Sequence, residues 1–153
     1  MLSTMSGYTV AERFRGFLPV VIDVETGGFN PETDALLEIA AVIIDYKAAE
    51  GWHRCTTIAH HTKPFDGANL EKRALEFNKI DPYHPFRSAV DESEALQEIF
   101  AAIRNEIARH RCSRAILVGH NPAFDISLVN AAVGRAGGKQ LPVQNFSTLG
   151  TAG

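Results

Sequence analysis

The stretch Pro19-Val-Val-Ile-Asp-Val-Glu-Thr-Gly27 decides how the rest of the chain can be arranged. Pro19 to Val24 is almost continuously apolar and rich in β-branched residues, which is typical of a buried central strand. Asp23 and Glu25 interrupt or adjoin this strand, although carboxylates are depleted in strands and costly to bury without a partner. Thr26-Gly-Gly28 then predicts a turn. The fold therefore starts from a buried strand that ends in two acids.

Strands and helices follow one another on the C-terminal side of this strand. Leu36–Asp45 and Ile58–Phe65 predict a second and a third strand. The segment Ala48–Gly51 between them has turn residues, so the two strands are predicted to pair antiparallel. Arg114–Gly119 predicts a further buried strand. Helices are predicted over Leu70–Asn78, Asp91–His110 and Ala123 to about Ala136.

The long predicted helix has an apolar stripe that recurs every four residues. The stripe comprises Ala95, Ile99, Ile103 and Ile107. A helix of this kind buries one face against a sheet, so the order of elements predicts an α/β fold: a mixed sheet flanked by helices. We expect residues 1–153 to form a single domain.

Composition is consistent with one domain that has a substantial core. The 153 residues are 45% hydrophobic and 22% charged, and the formal net charge is -3. Because the chain is not strongly basic, any contact with nucleic acid must come from local patches. The first ten residues are polar and do not resemble a signal peptide. The longest apolar runs are too short to cross a bilayer. Two cysteines allow at most one disulfide. We expect a reduced, cytoplasmic protein that does not contact a membrane.

Asp23 and Glu25 are candidate metal ligands. Alternate residues of a strand point to the same face, which places these carboxylates about 6–7 Å apart along it. Two like charges that close repel each other unless a cation lies between them, and oxygen ligands suit the hard cations Mg²⁺ and Mn²⁺. The alternative is that both acids lie at a solvated strand end.

Asp125 is a third candidate ligand. It follows another buried strand, at the position where active-site groups gather in α/β sheets. Taken alone, it would be interpreted as an acid in the first turn of a helix, where the helix dipole favours negative charge. Together with Asp23 and Glu25, it predicts that a second strand contributes to the same metal site.

Motifs around these acids resemble those of the DEDDh 3′→5′ exonucleases. The matching segments are Asp23-Val-Glu-Thr-Gly27, Leu36-Leu-Glu-Ile-Ala40 and His120-Asn-Pro-Ala-Phe-Asp125. Asp23 and Glu25 alone, as an Asp-x-Glu pair, are a weak signal, but the whole first segment combined with the last is specific. The chain resembles the ribonuclease T branch of this superfamily from about Val10 to its last residue. Further segments that carry this likeness are Arg13-Phe-Arg-Gly-Phe17, Gly67-Ala-Asn-Leu70 and Phe77-Asn78.

The resemblance implies a ribonuclease H-like sheet and a metal-dependent exonuclease. Asp23, Glu25 and Asp125 would be three of the four acidic ligands of two Mg²⁺ ions, with Mn²⁺ as the other candidate. Two ions about 3.5–4 Å apart would clamp the scissile phosphate, one supplying hydroxide and the other stabilising the leaving 3′-oxygen. The implied substrates are the 3′ ends of tRNA and other structured RNAs, and the 3′ ends of single-stranded DNA.

Phenylalanines occupy positions that the resembled family uses to stack terminal bases: Phe29, Phe77, Phe124 and Phe146. Stacking of a base on an aromatic ring contributes roughly 1–3 kcal/mol and depends little on the base. The alternative for each phenylalanine is burial in the core, which is its more frequent location. Arg73 departs from the family, which tends to carry a glutamate there, and this departure bears on the preference for the terminal base.

The resemblance also implies a homodimer in which a basic patch holds RNA for the active site of the partner. The matching residues are Arg13, Arg15, Arg114 and Lys139. Their alternative is ordinary solvated charge. A zinc site formed by His53, Cys55, His60 and His61 is disfavoured, because their spacing matches no zinc motif and neighbouring strand residues face opposite ways.

Members of the resembled family continue into helices that bear a histidine general base and a fourth aspartate, and no counterpart is found here. We therefore expect an incomplete exonuclease domain that lacks the family's C-terminal helices and exposes apolar surface on the sheet.

Three interpretations remain open. The chain is a truncated ribonuclease of this branch, a catalytically inactive dimeric module that binds nucleic acid, or another DEDDh enzyme such as a proofreading subunit or an oligoribonuclease.

Overall fold

The computed structural model describes residues 9–137 and, for the backbone alone, residues 146–148. Its centre is a five-stranded mixed sheet with the strand order β3-β2-β1-β4-β5. The strands are β1 (Phe17–Thr26), β2 (Leu36–Lys47), β3 (Gly51–His61), β4 (Arg114–Val118) and β5 (Phe146–Thr148). The helices are α1 (Val10–Arg13), α2 (Lys72–Asn78), α3 (Glu92–Arg109) and α4 (Pro122–Arg135), with one 3-10 turn at Pro85–Arg87. The predicted α/β class, with helices beside a mixed sheet, is confirmed.

β1 is the central strand, antiparallel to β2 on one side and parallel to β4 on the other. Its alternation divides the sheet into two faces. One face is buried in a hydrophobic cluster with α3 and α4, and β1 contributes to it Leu18, Val20, Ile22 and Val24. The apolar stripe predicted for α3 is confirmed, since Ala95, Ile99 and Ile103 are buried in this cluster and Ile107 packs against it.

Asp23 and Glu25 lie on the other face of β1, as the alternation predicts. Asp23 is exposed and Glu25 is half-buried, whereas Val24 between them belongs to the core. The helices α3 and α4 therefore cover the side of the sheet that does not carry these two acids. This division leaves the carboxylates accessible while the strand that carries them stays fixed in the core.

β3 differs from its prediction. The pattern predicted Ile58–Phe65, but the strand spans Gly51–His61. Gly51, with φ +76°, and a hydrogen bond from the Glu50 amide to the Lys47 carbonyl (3.0 Å) close a hairpin with β2. Side chains of β3 alternate between exposed and half-buried positions, and its polar N-terminal part did not show the apolar pattern of a strand. Its predicted antiparallel pairing with β2 is confirmed.

The other predicted elements are present, with ends that differ by at most two residues from the observed ones. α1 and the 3-10 turn were not predicted. Cys55 and Cys112 are both free thiols. Among the helices of residues 9–137, none has the length and apolar character needed to cross a membrane.

An ion pair fastens α4 to α3. The Arg135 guanidinium donates to both carboxylate oxygens of Glu92, from Nε and from Nη2, each at 2.9 Å. Glu92 is buried in the first turn of α3, and Arg135 also lies over the ring of Phe65 at 4.0 Å. The C-terminal end of α4 is thus fixed to the start of α3, which holds the helix that carries Asp125 at its other end.

Candidate active site

The three candidate acids lie near one another where β1 and β4 end. These strands are parallel, and their last paired residues are Val21 and Val118. Asp23 and Glu25 follow on β1, while β4 leads through Gly119 into α4, whose first turn contains Asp125. Because both strands run the same way, their C-terminal ends lie at one edge of the sheet, which brings the acids of the first and last motifs together.

Gly119 makes room for Asp125 at this edge. A Cβ atom at position 119 would lie 2.6 Å from Oδ2 of Asp125 and 3.2 Å from the carbonyl oxygen of Ile22. Both separations are shorter than ordinary van der Waals contact. The absence of a side chain at Gly119 therefore allows Asp125, which is only 6% exposed, to lie against the end of β1.

Burial and repulsion act on the acids of this edge. Burial, and then the neighbouring charge of Asp23, raise the pKa of Asp125 to about 6, although His120 acts in the opposite direction. Burial, followed by the charges of Asp23 and Glu38, also raises the pKa of Glu25. In the part of the chain that the structure describes, no lysine or arginine forms an ion pair with Asp23, Glu25 or Asp125. Apart from the partial effect of His120 on Asp125, the negative charge gathered here is not balanced by an ion pair among the described residues.

A divalent ion fits this donor set. Three carboxylates from two segments supply hard oxygen ligands of the kind that Mg²⁺ and Mn²⁺ prefer. Their oxygens do not all lie within 4.8 Å of one another; among the described residues, that spacing is reached by Cys55, Glu106 and His110 instead. Mutual repulsion keeps uncompensated carboxylates apart, so a cation between Asp23, Glu25 and Asp125 would draw them together.

Glu38 belongs to the same acidic region, and the sequence interpretation gave it no role. It lies opposite Glu25 on β2, and its Oε1 is 3.0 Å from Nδ1 of His61. Asp23, Glu25 and Glu38 line one cavity of about 230 Å³ together with His61. The signal was present in the sequence, since a glutamate interrupts the apolar run of the second strand just as Asp23 interrupts the first.

An aromatic cavity adjoins the acids. It has a volume of about 510 Å³, and Phe29, Phe77 and Phe124 line it together with Glu25. Phe29 is 81% exposed and Phe77 is 88% exposed, so neither belongs to the core. The rings of Phe29 and Phe124 lie 5.9 Å apart, between centroids. Three of the four predicted stacking residues are therefore brought to one cavity. Phe146 lies in β5, and its side chain is outside the described residues.

A buried aspartate orders the loop that presents Phe29. Asp34 accepts hydrogen bonds from the Asn30 amide (2.8 Å), the Thr33 hydroxyl (2.9 Å) and the Asn69 amide group (2.9 Å). Burial acts to raise the pKa of Asp34, but these hydrogen bonds outweigh it and hold the pKa below its ordinary value. A Cβ atom at Gly28 would overlap Asp34 Oδ2, so the loop needs glycine there. Sequence reasoning missed Asp34 because its partners are distributed over two loops.

Phe77 lies in α2, and hydrogen bonds attach this helix to the end of β1. The side-chain amide of the next residue, Asn78, donates to the carbonyl oxygen of Thr26 at the end of β1 (3.0 Å). The Glu71 amide, just before α2, donates to the carbonyl oxygen of Gly27 (2.7 Å). Both ends of this short helix are therefore attached to the segment that follows Glu25. Arg73, the departure from the resembled family, also lines the aromatic cavity.

The predicted basic residues lie at the opposite end of the sheet. Arg114 opens β4 opposite Phe17, and its guanidinium lies 5.5 Å from the centre of the Phe17 ring. Arg13 and Arg15, just before β1, are exposed, and Arg13 donates to the Tyr46 hydroxyl at 2.8 Å. Six residues of strand, about 20 Å, separate Phe17 from Asp23. These arginines therefore do not adjoin the acids of their own chain, and Lys139 lies outside the described residues.

Comparison with known proteins gives the family. The family model described as "Exonuclease" matches residues 20–151. This chain belongs to the exonuclease family. Ribonuclease T of Vibrio vulnificus (strain CMCP6) is 56% identical over 145 residues, which cover 94% of this chain and 67% of that protein. Ribonuclease T of Marinobacter nauticus is 54% identical over 146 residues, which cover 95% of this chain and 66% of that protein. The chain thus spans about two thirds of the length of these exonuclease relatives.

Solved structures of the exonuclease family share the fold. Exonuclease I of E. coli in complex with a dT13 oligonucleotide has a TM-score of 0.66 and 17% sequence identity, over 88% of this chain and 28% of that chain. The apo form of exonuclease I has a TM-score of 0.64. The ribonuclease H-like fold is therefore confirmed, and membership of this family implies dependence on a divalent metal.

The raised pKa of Asp125 leads us to expect that the stability of the metal-free protein depends on pH. Its pKa is raised to about 6, so the folded state holds this proton more tightly than the unfolded state does, and stability is lost as the pH rises through 6. In EDTA, Asp125→Asn should unfold at the same denaturant concentration as the wild type near pH 4. At pH 7.5, it should be more stable by about 1–3 kcal/mol.

Urea unfolding of both proteins from pH 4 to 8 measures this difference. Asp66→Asn, at an exposed aspartate away from the acids, is the control and should follow the wild type at every pH. Parallel curves for Asp125→Asn and the wild type across this range would show that the pKa of Asp125 is not raised in the folded protein.

Proposed function

We propose that this protein is a metal-dependent 3′→5′ exonuclease that trims the 3′ ends of tRNA and other structured RNAs, and also the 3′ ends of single-stranded DNA. The observation that carries the proposal is the position of Glu25, which lines both the acidic cavity and the aromatic cavity. A terminal base stacked between the phenylalanines would bring its own phosphate to the carboxylates. Residues 1–153 would form one exonuclease domain that supplies three of the four acidic ligands of the resembled family.

In this proposal, Asp23, Glu25 and Asp125 hold the metal. Two bound Mg²⁺ ions, or Mn²⁺ ions, would supply a nucleophilic hydroxide and stabilise the leaving oxygen. The protein's part is to place the carboxylate oxygens, since β1 fixes Asp23 and Glu25 through the core and Gly119 admits Asp125 to the same edge. Their uncompensated negative charge favours cation binding.

The aromatic cavity supports the choice of a 3′ terminus as the substrate. Stacking on Phe29, Phe77 and Phe124 depends little on which base is bound, so the cavity suits an unpaired end rather than a particular sequence. Phe146 would complete the set that the family resemblance implies. Arg73 at the cavity wall places a positive charge beside the bound nucleotide.

The separation of the basic patch from the acids supports a homodimer. Arg13, Arg15 and Arg114 lie about 20 Å of strand away from Asp23, which is too far to serve the same terminal nucleotide. Their positive charge can hold the phosphates of an RNA whose 3′ end lies in the active site of the partner chain. Lys139 would extend the patch. Two free thiols suit a reducing compartment, and we propose that the protein acts in the cytoplasm.

Turnover of a 3′-tailed RNA in Mg²⁺ tests the activity. The purified protein should shorten the tail one nucleotide at a time, and EDTA should stop the reaction. Asp23→Ala should reduce the rate by at least about 10³-fold, because it removes a charge that holds the metal at the reacting phosphate. Tight binding of the RNA without turnover in the wild type would instead identify a nucleic-acid-binding module.

Two equally exposed phenylalanines test the stacking cavity. Phe77 and Phe86 are each 88% exposed, but Phe77 lines the aromatic cavity beside Glu25, and Phe86 does not. Phe77→Ala should weaken binding of a single-stranded 3′ tail by about 1–3 kcal/mol, while Phe86→Ala should change it little. Equal losses for the two variants, measured by fluorescence anisotropy in Ca²⁺, would contradict the role of the cavity.

A further inference from the structure

A second group of potential ligands lies between β3 and α3. Sγ of Cys55 is 3.3 Å from Oε2 of Glu106 and 3.9 Å from Nε2 of His110, and the two latter atoms are 3.1 Å apart. The group is separate from the acids described above. Cys55 lies on the edge strand β3, beside Ile43 and Ile44 of β2. Asp23 lies on the central strand β1, opposite Ala40 of β2.

Two local features aim these side chains at one another. The pairing of β2 with β3 shifts between Ile43 and Ile44, so Cys55 has no partner in the register and occupies a β-bulge. A bulge redirects the side chain of the extra residue. Glu106 and His110 are four residues apart at the end of α3, which places them on one helix face. The bulge and the last helical turn therefore meet through their side chains.

The spacing of the three donor atoms matches a tetrahedral metal. Zinc–ligand bonds of about 2.0–2.3 Å at tetrahedral angles separate neighbouring donor atoms by about 3.3–3.6 Å. The observed separations of 3.1, 3.3 and 3.9 Å bracket this range. An ion could be bound with shifts of a few tenths of an ångström, and the fourth position would be open to water.

Asp45 contacts the ring nitrogen of His110 that points away from Cys55 and Glu106. Oδ1 of Asp45 lies 3.4 Å from Nδ1 of His110, while Nε2 of the same ring faces Glu106 and Cys55. A carboxylate on the second ring nitrogen is the usual partner of a metal-binding histidine, because it fixes the ring and increases its basicity. The side chains of His110, Asp45 and Glu106 are 9%, 14% and 15% exposed, so the ring is held in place by packing as well.

A cationic nitrogen already contacts all three donors. Nη2 of Arg109 lies 2.6 Å from Sγ of Cys55, 2.7 Å from Oε2 of Glu106 and 3.1 Å from Nε2 of His110. The three donors thus favour a positive charge beside them. The side chain of Arg109 is 54% exposed, so it can turn away into solvent and vacate this position.

We propose that Cys55, Glu106 and His110 form a binding site for a thiophilic divalent metal ion, with Zn²⁺ as the ion that best suits the donor set. Sulfur and imidazole ligands select zinc-like ions over Mg²⁺, which prefers oxygen. Binding displaces the guanidinium of Arg109 and releases the Cys55 thiol proton to solvent. The bound ion would connect the edge strand β3 to α3 and stabilise the folded state. The site does not depend on the exonuclease activity.

Cobalt titration tests the site, because a thiolate bound to Co²⁺ gives a charge-transfer band in the near ultraviolet. The titration uses the Asp23→Ala variant, which weakens metal binding at the acids of β1. One equivalent of Co²⁺ should produce the band, and Zn²⁺ should abolish it. Cys55→Ser and His110→Gln should each weaken metal binding by at least about 100-fold, whereas the control Cys112→Ser should keep both band and affinity.

Two further variants keep the test decisive if Cys55→Ser is poorly folded. Arg109→Ala should bind Zn²⁺ at least about tenfold more tightly, since it removes the competing cation. Asp45→Asn should bind about 10–100-fold more weakly. Isothermal titration calorimetry measures both affinities. The proposal is overturned if Co²⁺ gives no charge-transfer band, if the band depends on Cys112 instead of Cys55, or if Arg109→Ala leaves zinc affinity unchanged.

Discussion

Uncompensated negative charge at the end of the central strand is the constraint on which the rest of this structure depends. β1 buries one face in the core and presents Asp23 and Glu25 on the other, and Asp125 reaches the same edge from α4. No basic side chain of the described residues pairs with these acids. Burial and mutual repulsion raise the pKa of Asp125 and Glu25, so the fold holds a local strain that a divalent cation would relieve.

The surrounding elements place other groups relative to this charge. Gly119 removes the side chain that would keep Asp125 away, and the Glu92–Arg135 pair holds the far end of α4. The loop ordered by Asp34 and the helix α2 bring exposed phenylalanines to a cavity that Glu25 also lines. The two ends of the sheet carry opposite charges, with acids at the C-terminal end of β1 and arginines near its start. A nucleic acid bound to both ends of the sheet would have to span it or reach a second copy.

Local patterns predicted those parts of the fold that depend on neighbours in the sequence. The alternation in β1 placed Asp23 and Glu25 on one face, and the four-residue stripe of α3 identified its buried side. The polar edge strand β3 escaped prediction in its first half, because its order comes from pairing with β2. The zinc site considered for His53, Cys55, His60 and His61 was disfavoured on spacing, and reasoning from spacing alone could not find Glu106 and His110. A β-bulge and a helix end bring these residues to Cys55 from some fifty positions away in the sequence. In the same way, Asp34 accepts a hydrogen bond from Asn69, which is distant in the sequence.

Anomalous diffraction from crystals grown with Mn²⁺ is the most direct measurement of whether the acids form a metal site. At the manganese absorption edge, we expect one or two peaks between the carboxylates of Asp23, Glu25 and Asp125, with the three side chains closer together than in the metal-free protein. The same crystals grown from the Asp125→Asn variant should lose or weaken these peaks. A map with full Mn²⁺ occupancy elsewhere and none at the ends of β1 and β4 would contradict the assignment of this edge as the active site.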